Sequence, residues 1–162
     1  MKTQGTHLFI MDPDAEAPAI VKFKCPTAIT GITAGARSSI DTTCLDATDS
    51  SSMEAGLATP GATSIPFIFD PDNGGHQAIF GLKARGETVR WLVALSDGIA
   101  SPTITAGEMV PPTDRTSFEF SAFIADLDIP IDANEVVRGT LTLQRSGPVD
   151  VTFKNPVVPP VI

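Results

Sequence analysis

The chain has 162 residues, 42% hydrophobic and only 19% charged, with a net charge of −8. That length suits one domain with a real core, and the acidic balance excludes tight nucleic-acid binding, which rests on Lys and Arg neutralising phosphates. The charged fraction is below the usual quarter, which leaves two readings open: a surface covered in an obligate oligomer, or a Thr/Ser-rich β-protein with a neutral polar surface.

The N-terminal stretch MKTQGTHLFIMDPDAE carries one short apolar run, Leu8 to Met11, with His7 just before it. It holds neither a signal-peptide core nor the twenty or so apolar residues that a membrane span needs. The chain is therefore expected to be made and kept in a cytoplasm, without a membrane partner. From residue 19 to 25 the apolar residues alternate as Ala19, Val21, Phe23 and Cys25, with Lys22 and Lys24 opposite. A period of two marks a strand with one buried face.

The next stretch, CPTAITGITAGARSSIDTTCLD, holds both cysteines, Cys25 and Cys44. Their spacing fits no zinc pattern, and a reducing compartment disfavours a disulfide. Two buried or half-buried free thiols are expected. Residues 33 to 63 show no periodicity and read as one long loop. Long loops in compact domains are usually functional or disordered.

Alternation resumes with Ile65, Phe67 and Phe69. A helix is predicted at about 75–85, with Ala78, Ile79 and Leu82 on one face, Asp72 or Asn73 as its cap and Gly86 at its end. Val89, Trp91, Val93 and Leu95 give the next strand, opposite Thr88 and Arg90. Residues 98 to 113 read as a second unstructured region.

The segment TSFEFSAFIADLDI, 116 to 129, is the longest candidate strand. Phe118, Phe120 and Ala122 are apolar at even positions; Leu127 and Ile129 are apolar at odd ones. A flip of parity inside one strand predicts a β-bulge, here near Phe123 and Ile124, or a strand end that leaves its sheet. A turn over 130–134 leads to a partner strand over 136–144, with Val137, Leu141 and Leu143 on one side. RSGP at 145–148 connects it to a last strand over 149–153, completing an antiparallel meander. The tail, 154–162, is extended, proline-locked and apolar, and is expected to lie on a neighbour or on its own sheet.

Catalytic motifs are missing. His7 and His76 sit in no metal or triad spacing and read as ordinary surface or capping histidines. DPDNGG at 70–75 resembles the start of a calcium loop but has Gly74 and Gly81 where acids are needed. Asp126 and Asp128 would lie about 7 Å apart on one strand face, a spacing open to acid–base work, yet nothing else in the sequence converges on them. The chain is read as no enzyme, with no cofactor and no metal.

The order of segments GTHLFIMDP, CPTAITGI, RSSIDTTCLD, GLATPG and IPFIFDP resembles the tail tube (major tail) proteins of long, non-contractile-tailed phages, best over residues 3 to 80. The resemblance implies a mainly β fold, an antiparallel β-sandwich or split barrel with one flanking helix and long loops. It implies a single tail-tube domain over 1–162 that forms homohexameric rings stacked into a tube. Such a tube passes DNA and a tape-measure protein through its lumen and meets terminator and tail-tip proteins at its ends. The place of such a protein is the virion tail, assembled in the host bacterial cytoplasm.

On that reading Glu119, Ser121, Asp126 and Asp128 are the candidate lumen lining, with Arg138 placing positive charge on or near the same surface. The loop 33–63 is the candidate contact between subunits and rings, ordered on assembly, through Arg37, Asp41, Asp46, Met53 and Leu57. Arg37 and Asp41 are expected to make cross-subunit ion pairs. The alternatives are a β-sandwich binding module or adhesin, disfavoured by the absence of Tyr and the single Trp, and an enzyme centred on Asp126 and Asp128.

Overall fold

The computed structural model describes residues 1–12 and 18–157. Among the described residues there are ten strands: β1 (His7–Met11), β2 (Ile20–Phe23), β3 (Arg37–Asp41), β4 (Met53–Ala58), β5 (Ala62–Ile68), β6 (Val89–Ala94), β7 (Thr103–Thr105), β8 (Glu108–Val110), β9 (Ser117–Asp128) and β10 (Arg138–Thr152). One helix, α1 (Gly74–Arg85), lies between β5 and β6. Six strands form one antiparallel sheet in the order β2-β1-β6-β9-β10-β5. The chain that leaves β2 crosses to the far edge: Thr27 N–H donates to the Pro66 carbonyl at 2.8 Å and Thr30 and Ser64 exchange bonds at 3.0 Å. These bonds tie the two ends of the sheet together and curl it into a half-barrel. This is the mainly β split barrel with one flanking helix that the sequence led to.

The alternating residues fill its inside. Leu8, Ile10, Phe23, Ile65, Phe67, Val89, Trp91, Val93, Phe120, Ile124, Leu141 and Leu143 are buried together, closed over by Ile79 and Leu82 of α1. The helix begins at Asn73, whose side chain accepts from the His76 N–H, and ends at Gly86 in the left-handed conformation, φ 67°. Gly75 is required by packing, because a Cβ there would sit 2.9 Å from the Lys22 carbonyl oxygen.

β9 carries the bulge. Its partners on β10 run Leu143 to Ile124 and then Thr142 to Asp126, which leaves Ala125 as the extra residue. The bulge lies one residue beyond the expected Phe123–Ile124. It lets Phe118, Phe120, Ala122 and Ile124 face the core before it and Leu127 after it. β10 is one strand of 15 residues, not two. The expected break at 145–148 is a second irregularity, between Ser146 and Asp150, with Gly147 at φ 80°, and both halves pair with β9.

The two regions expected to be unstructured are hairpins. Residues 103–110 form β7 and β8 around Ala106 and Gly107, both at positive φ, the backbone of a tight hairpin turn. Met109 from this hairpin covers Phe9, Met11, Leu92 and Ala94 on the outer side of the sheet. Residues 33–63 contain β3 and β4, an antiparallel arm whose strand residues are almost all exposed. It gave no periodicity because it has no buried face; the backbone ladder holds it instead.

Of the buried polar groups, three carry a ring or a charge, and two of these, His76 and Arg145, correct expectations. His76 is buried, not a surface histidine. Its Nδ1 accepts from the Asp70 N–H at 2.9 Å and its Nε2 bonds the Lys24 carbonyl at 2.6 Å, between the rings of Phe23 and Phe67. Arg115 is fully buried and donates to the carbonyls of Gly5, Ala94, Leu95 and Ala100 at 2.7–3.2 Å. Burial pushes its pKa down, partly offset by Asp114 and Asp97. Arg145 is buried as well. Both cysteines are free, as expected, but exposed: Cys25 sits at a positive φ of 57° where the chain leaves β2, and Cys44 lies on the arm. The tail expected at 154–162 is exposed through Val157; residues 158–162 lie outside the described residues.

Deleting Ala125 should turn the bulge into a regular ladder, since Ile124 and Asp126 already face consecutive residues of β10, and leave Leu127 inward and Asp126 and Asp128 outward. Urea denaturation is expected to show a change within about 1 kcal/mol; a loss of several kcal/mol would show that Ala125 is not the extra residue that sets the phase of β9.

Candidate assembly surface

The outward side chains of β9 and β10 make one largely polar face, interrupted by the exposed Phe123 between Ser121 and Asp126. Glu119 and Ser121 point outward before the bulge; Asp126 and Asp128 point outward after it, opposite Thr142 and Thr140. Ala125 thus brings all four predicted lining residues to one side. Thr140, Thr142, Gln144 and Ser146 continue that side on β10, and Arg138 joins it at the start of the strand.

The four are not equivalent. Arg90 of β6 reaches across to Glu119, its Nε and Nη2 donating to Oε1 at 3.0 and 2.6 Å, while Nη1 donates to Ser121 Oγ at 2.9 Å. The same guanidinium lies 3.5 Å from the Asp150 carboxylate. Asp126 is exposed and 3.8 Å from Lys83 of α1. Asp128 is exposed. Arg90, Asp150 and Lys83 were not singled out from the sequence. Arg90 had a legible signal, a charge opposite Val89 and Trp91; Asp150 and Lys83 join the face only through the register of β10 and the placement of α1.

The edges of this ribbon are staggered. β6 pairs with β9 only as far as Ala122, and β5 pairs with β10 only as far as Gln144. Among the described residues, β9 from 123 to 128 and β10 from 145 to 152 therefore each have one open edge, on opposite sides of the ribbon.

The arm is the second exposed feature. Asp41 and Met53 face each other across its outer end, and the Asp41 carboxylate accepts from the Thr43 N–H at 2.9 Å. Hydrogen bonding with Thr43 holds its pKa below the usual carboxylate value. Arg37 sits at the root and donates to the Gly56 carbonyl at 3.1 Å. Arg37 and Asp41 are thus engaged locally and not with each other. Leu45 and Asp46 are the central residues of the tip turn, closed by Ala47 N–H to the Cys44 carbonyl at 3.1 Å. Ile40, Leu45, Met53 and Leu57 are large apolar side chains left exposed along it.

Residues 1–155 match the family described as phage tail tube, TTP, lambda-like. The chain belongs to that family. A relative named "Structural protein 3", from Pseudomonas phage PAJU2, is 33% identical over 152 residues, 91% of this chain and 90% of the relative. Among solved structures, one chain of the virion of a native gene transfer agent particle aligns at a TM-score of 0.64 with 14% identity, covering 94% of this chain and 99% of the other. The SPP1 tail tube aligns at 0.61 with 13% identity, covering 94% and 79%. At that identity the two structures show a shared fold. Membership of the tail tube family makes the protein a structural component of a phage virion tail, in a family of building units and not of enzymes.

Glu119 and Asp128 should differ sharply on removal. Glu119→Ala leaves the half-buried Arg90 without its closest acceptor and is expected to cost about 1–3 kcal/mol in chemical denaturation, whereas Asp128→Ala should stay within about 0.5 kcal/mol. Equal effects would mean that Arg90 and Glu119 do not act as a pair.

Proposed function

We propose that this tail tube protein closes into six-membered rings by joining its β9–β10 ribbon edge to edge with the next copy, and that the rings stack into the conduit for DNA ejection. The observation that carries this reading is the stagger of the two open edges. An exposed strand edge is a template for another strand, and each copy offers one on either side of its ribbon. β9 of one copy and β10 of the next run antiparallel once the copies are related by rotation. The two open segments lie at different heights on the ribbon, and tilted, staggered strands are what a closed barrel requires.

The outward face of the ribbon then becomes the lumen wall. Hydroxyls and amides from Thr140, Thr142, Gln144 and Ser121 line it, with Asp126 and Asp128 as its exposed acids. Apart from Arg138 at its end, a wall of this kind repels phosphate and gives DNA little to hold. A tape-measure protein would occupy the same channel before DNA leaves, and terminator and tip proteins would close the two ends. The exposed arm, with Ile40, Leu45, Met53 and Leu57 uncovered, is the contact to a neighbouring ring.

Concentrated protein viewed by negative-stain electron microscopy should show rings or hollow tubes. Shortening the arm, with residues 40–54 replaced by Asn-Gly, should leave a folded subunit that forms no stacks; long tubes from that variant would remove the arm from the interface. Replacing Asp126 and Asp128 with Lys should spare assembly and slow DNA passage, read as reduced infectivity of complemented phage. Unchanged infectivity would place the two acids away from the lumen.

A further inference from the structure

The two ends of the β9–β10 ribbon differ in what they leave uncovered. At one end the chain turns between Asp128 and Arg138. The turn is held in shape: Asn134 takes the left-handed conformation at φ 61°, and the Val137 carbonyl accepts from the Phe69 N–H at 2.9 Å. It borders an open cleft of about 430 Å³ lined by Pro130, Asp132, Ala133, Glu135, Val136 and Arg138. Beside the cleft Ile131 is 82% exposed, and Val136 in its wall is 57% exposed. Asp132 and Glu135 are exposed and form no ion pair or side-chain hydrogen bond among the described residues. At the other end of the ribbon Thr152 pairs with Ser117, and the chain goes on to Phe153 and Lys154. Phe153 is an aromatic ring left 60% exposed. Lys154 holds the strand end in place: its N–H donates to Thr116 Oγ at 3.3 Å and its ammonium to the Asp97 carbonyl at 2.7 Å. An ammonium has three donors, so two remain for a partner.

An apolar cleft that holds two uncommitted carboxylates fits an occupant that is apolar beside a cation. Phe153 and Lys154 have that form, in neighbouring positions. They cannot enter their own cleft, because the 15 residues of β10 separate the two ends by roughly 45 Å. A contact between opposite ends of identical ribbons is head to tail, and a head-to-tail contact propagates from copy to copy. It leaves free the strand edges at 123–128 and 145–152 that the ring joint uses.

We propose that the cleft at the β9–β10 turn seats Phe153 and Lys154 of a copy in the adjacent ring. The Phe153 ring packs on Pro130, Ala133 and Val136, with the Arg138 guanidinium on its face, and the Lys154 ammonium lies between Asp132 and Glu135. Burial of an exposed aromatic ring supplies the attraction, and the charges fix which end meets which. Two clefts face to face would bring four carboxylates together, and two Phe153–Lys154 ends would bring two ammoniums together, so the rings stack with one polarity. This inference rests on the tube reading, which supplies the stacked rings, and is tested apart from it.

In a Cys25→Ser, Cys44→Ser background, Ile131→Cys and Asn155→Cys place one thiol beside the cleft and one beside Lys154. Treatment of concentrated protein with diamide should give a ladder of disulfide-linked oligomers, because each copy carries one of each thiol; either cysteine alone should give dimers at most. Adding Phe153→Ala or Lys154→Glu should reduce the ladder at least about tenfold. Combining Lys154→Glu with Asp132→Lys and Glu135→Lys should restore it. These four side chains are exposed in the subunit, so its melting temperature should not change in any of the variants. No ladder, a ladder that survives either Phe153→Ala or Lys154→Glu, or a charge swap that fails to restore it would each overturn the assignment. Rings or tubes from the unmodified protein without this cross-link would leave the tube reading standing and the seat refuted; a ladder that depends on Phe153 and Lys154, without rings, would do the reverse.

Discussion

The antiparallel pairing of β9 with β10 is the constraint from which the rest of the molecule follows. It joins 12 residues to 15, longer than any other pairing in the sheet. One face of a strand cannot serve core and solvent at once, so a ribbon of this length must keep its phase from end to end. Ala125 does this for β9. Were Ala125 paired as a regular strand residue, either Ile124 or Leu127 would face water, and the acids at 126 and 128 would turn inward. The same residue therefore completes the core and assembles the polar face.

The length of the ribbon also decides what is left over. β6 and β5 each cover only part of it, so backbone donors and acceptors remain open at both ends. A free strand edge is a hazard for a soluble protein, and this chain blunts one of them only lightly, with Gly147 and Pro148 on β10. In the proposed ring of this tail tube protein, such an edge serves as the joint. The arm obeys the same logic. A two-stranded hairpin without a covered face is marginal on its own, and the proposed contact with a neighbouring ring would cover Ile40, Leu45, Met53 and Leu57.

Buried polar groups show how far the subunit is finished in itself. His76 is satisfied on both ring nitrogens and pins the chain after β2 to the start of α1. Arg115 gathers the carbonyls of four residues and locks the N-terminal turn to the end of β6. Both are positioned by elements they in turn hold. Arg145 is also buried, yet its Nε and Nη2 have no such partners.

The fold was legible where burial is one-sided. Phe118 to Ala122, Leu127, and the Val89–Trp91–Val93 series announced their strands and even the bulge, because alternation against a core leaves a period of two. Helix α1 was legible through Asn73 and Gly86, which cap it by local chemistry. The arm was hidden because Arg37–Asp41 and Met53–Ala58 have no buried side on which to alternate. β10 was read as two strands because Gly147 and Pro148 are breakers in the sequence and only a bulge in a paired ribbon. That Glu119, Ser121, Asp126 and Asp128 share one face was legible from polarity and the parity flip, but the pairing of Glu119 with Arg90 depends on cross-strand register, which one strand alone does not contain. Arg145 looked like a turn residue; its burial comes from the root of the arm folding over it, a long-range event.

The most direct test is a helical cryo-electron-microscopy reconstruction of assembled tubes, at a resolution that separates strands. The account predicts that β9 of one copy pairs with β10 of the next and that Asp126 and Asp128 lie at the inner radius. A tube in which those edges are unpaired, or in which the two acids lie on the outer wall, would contradict it.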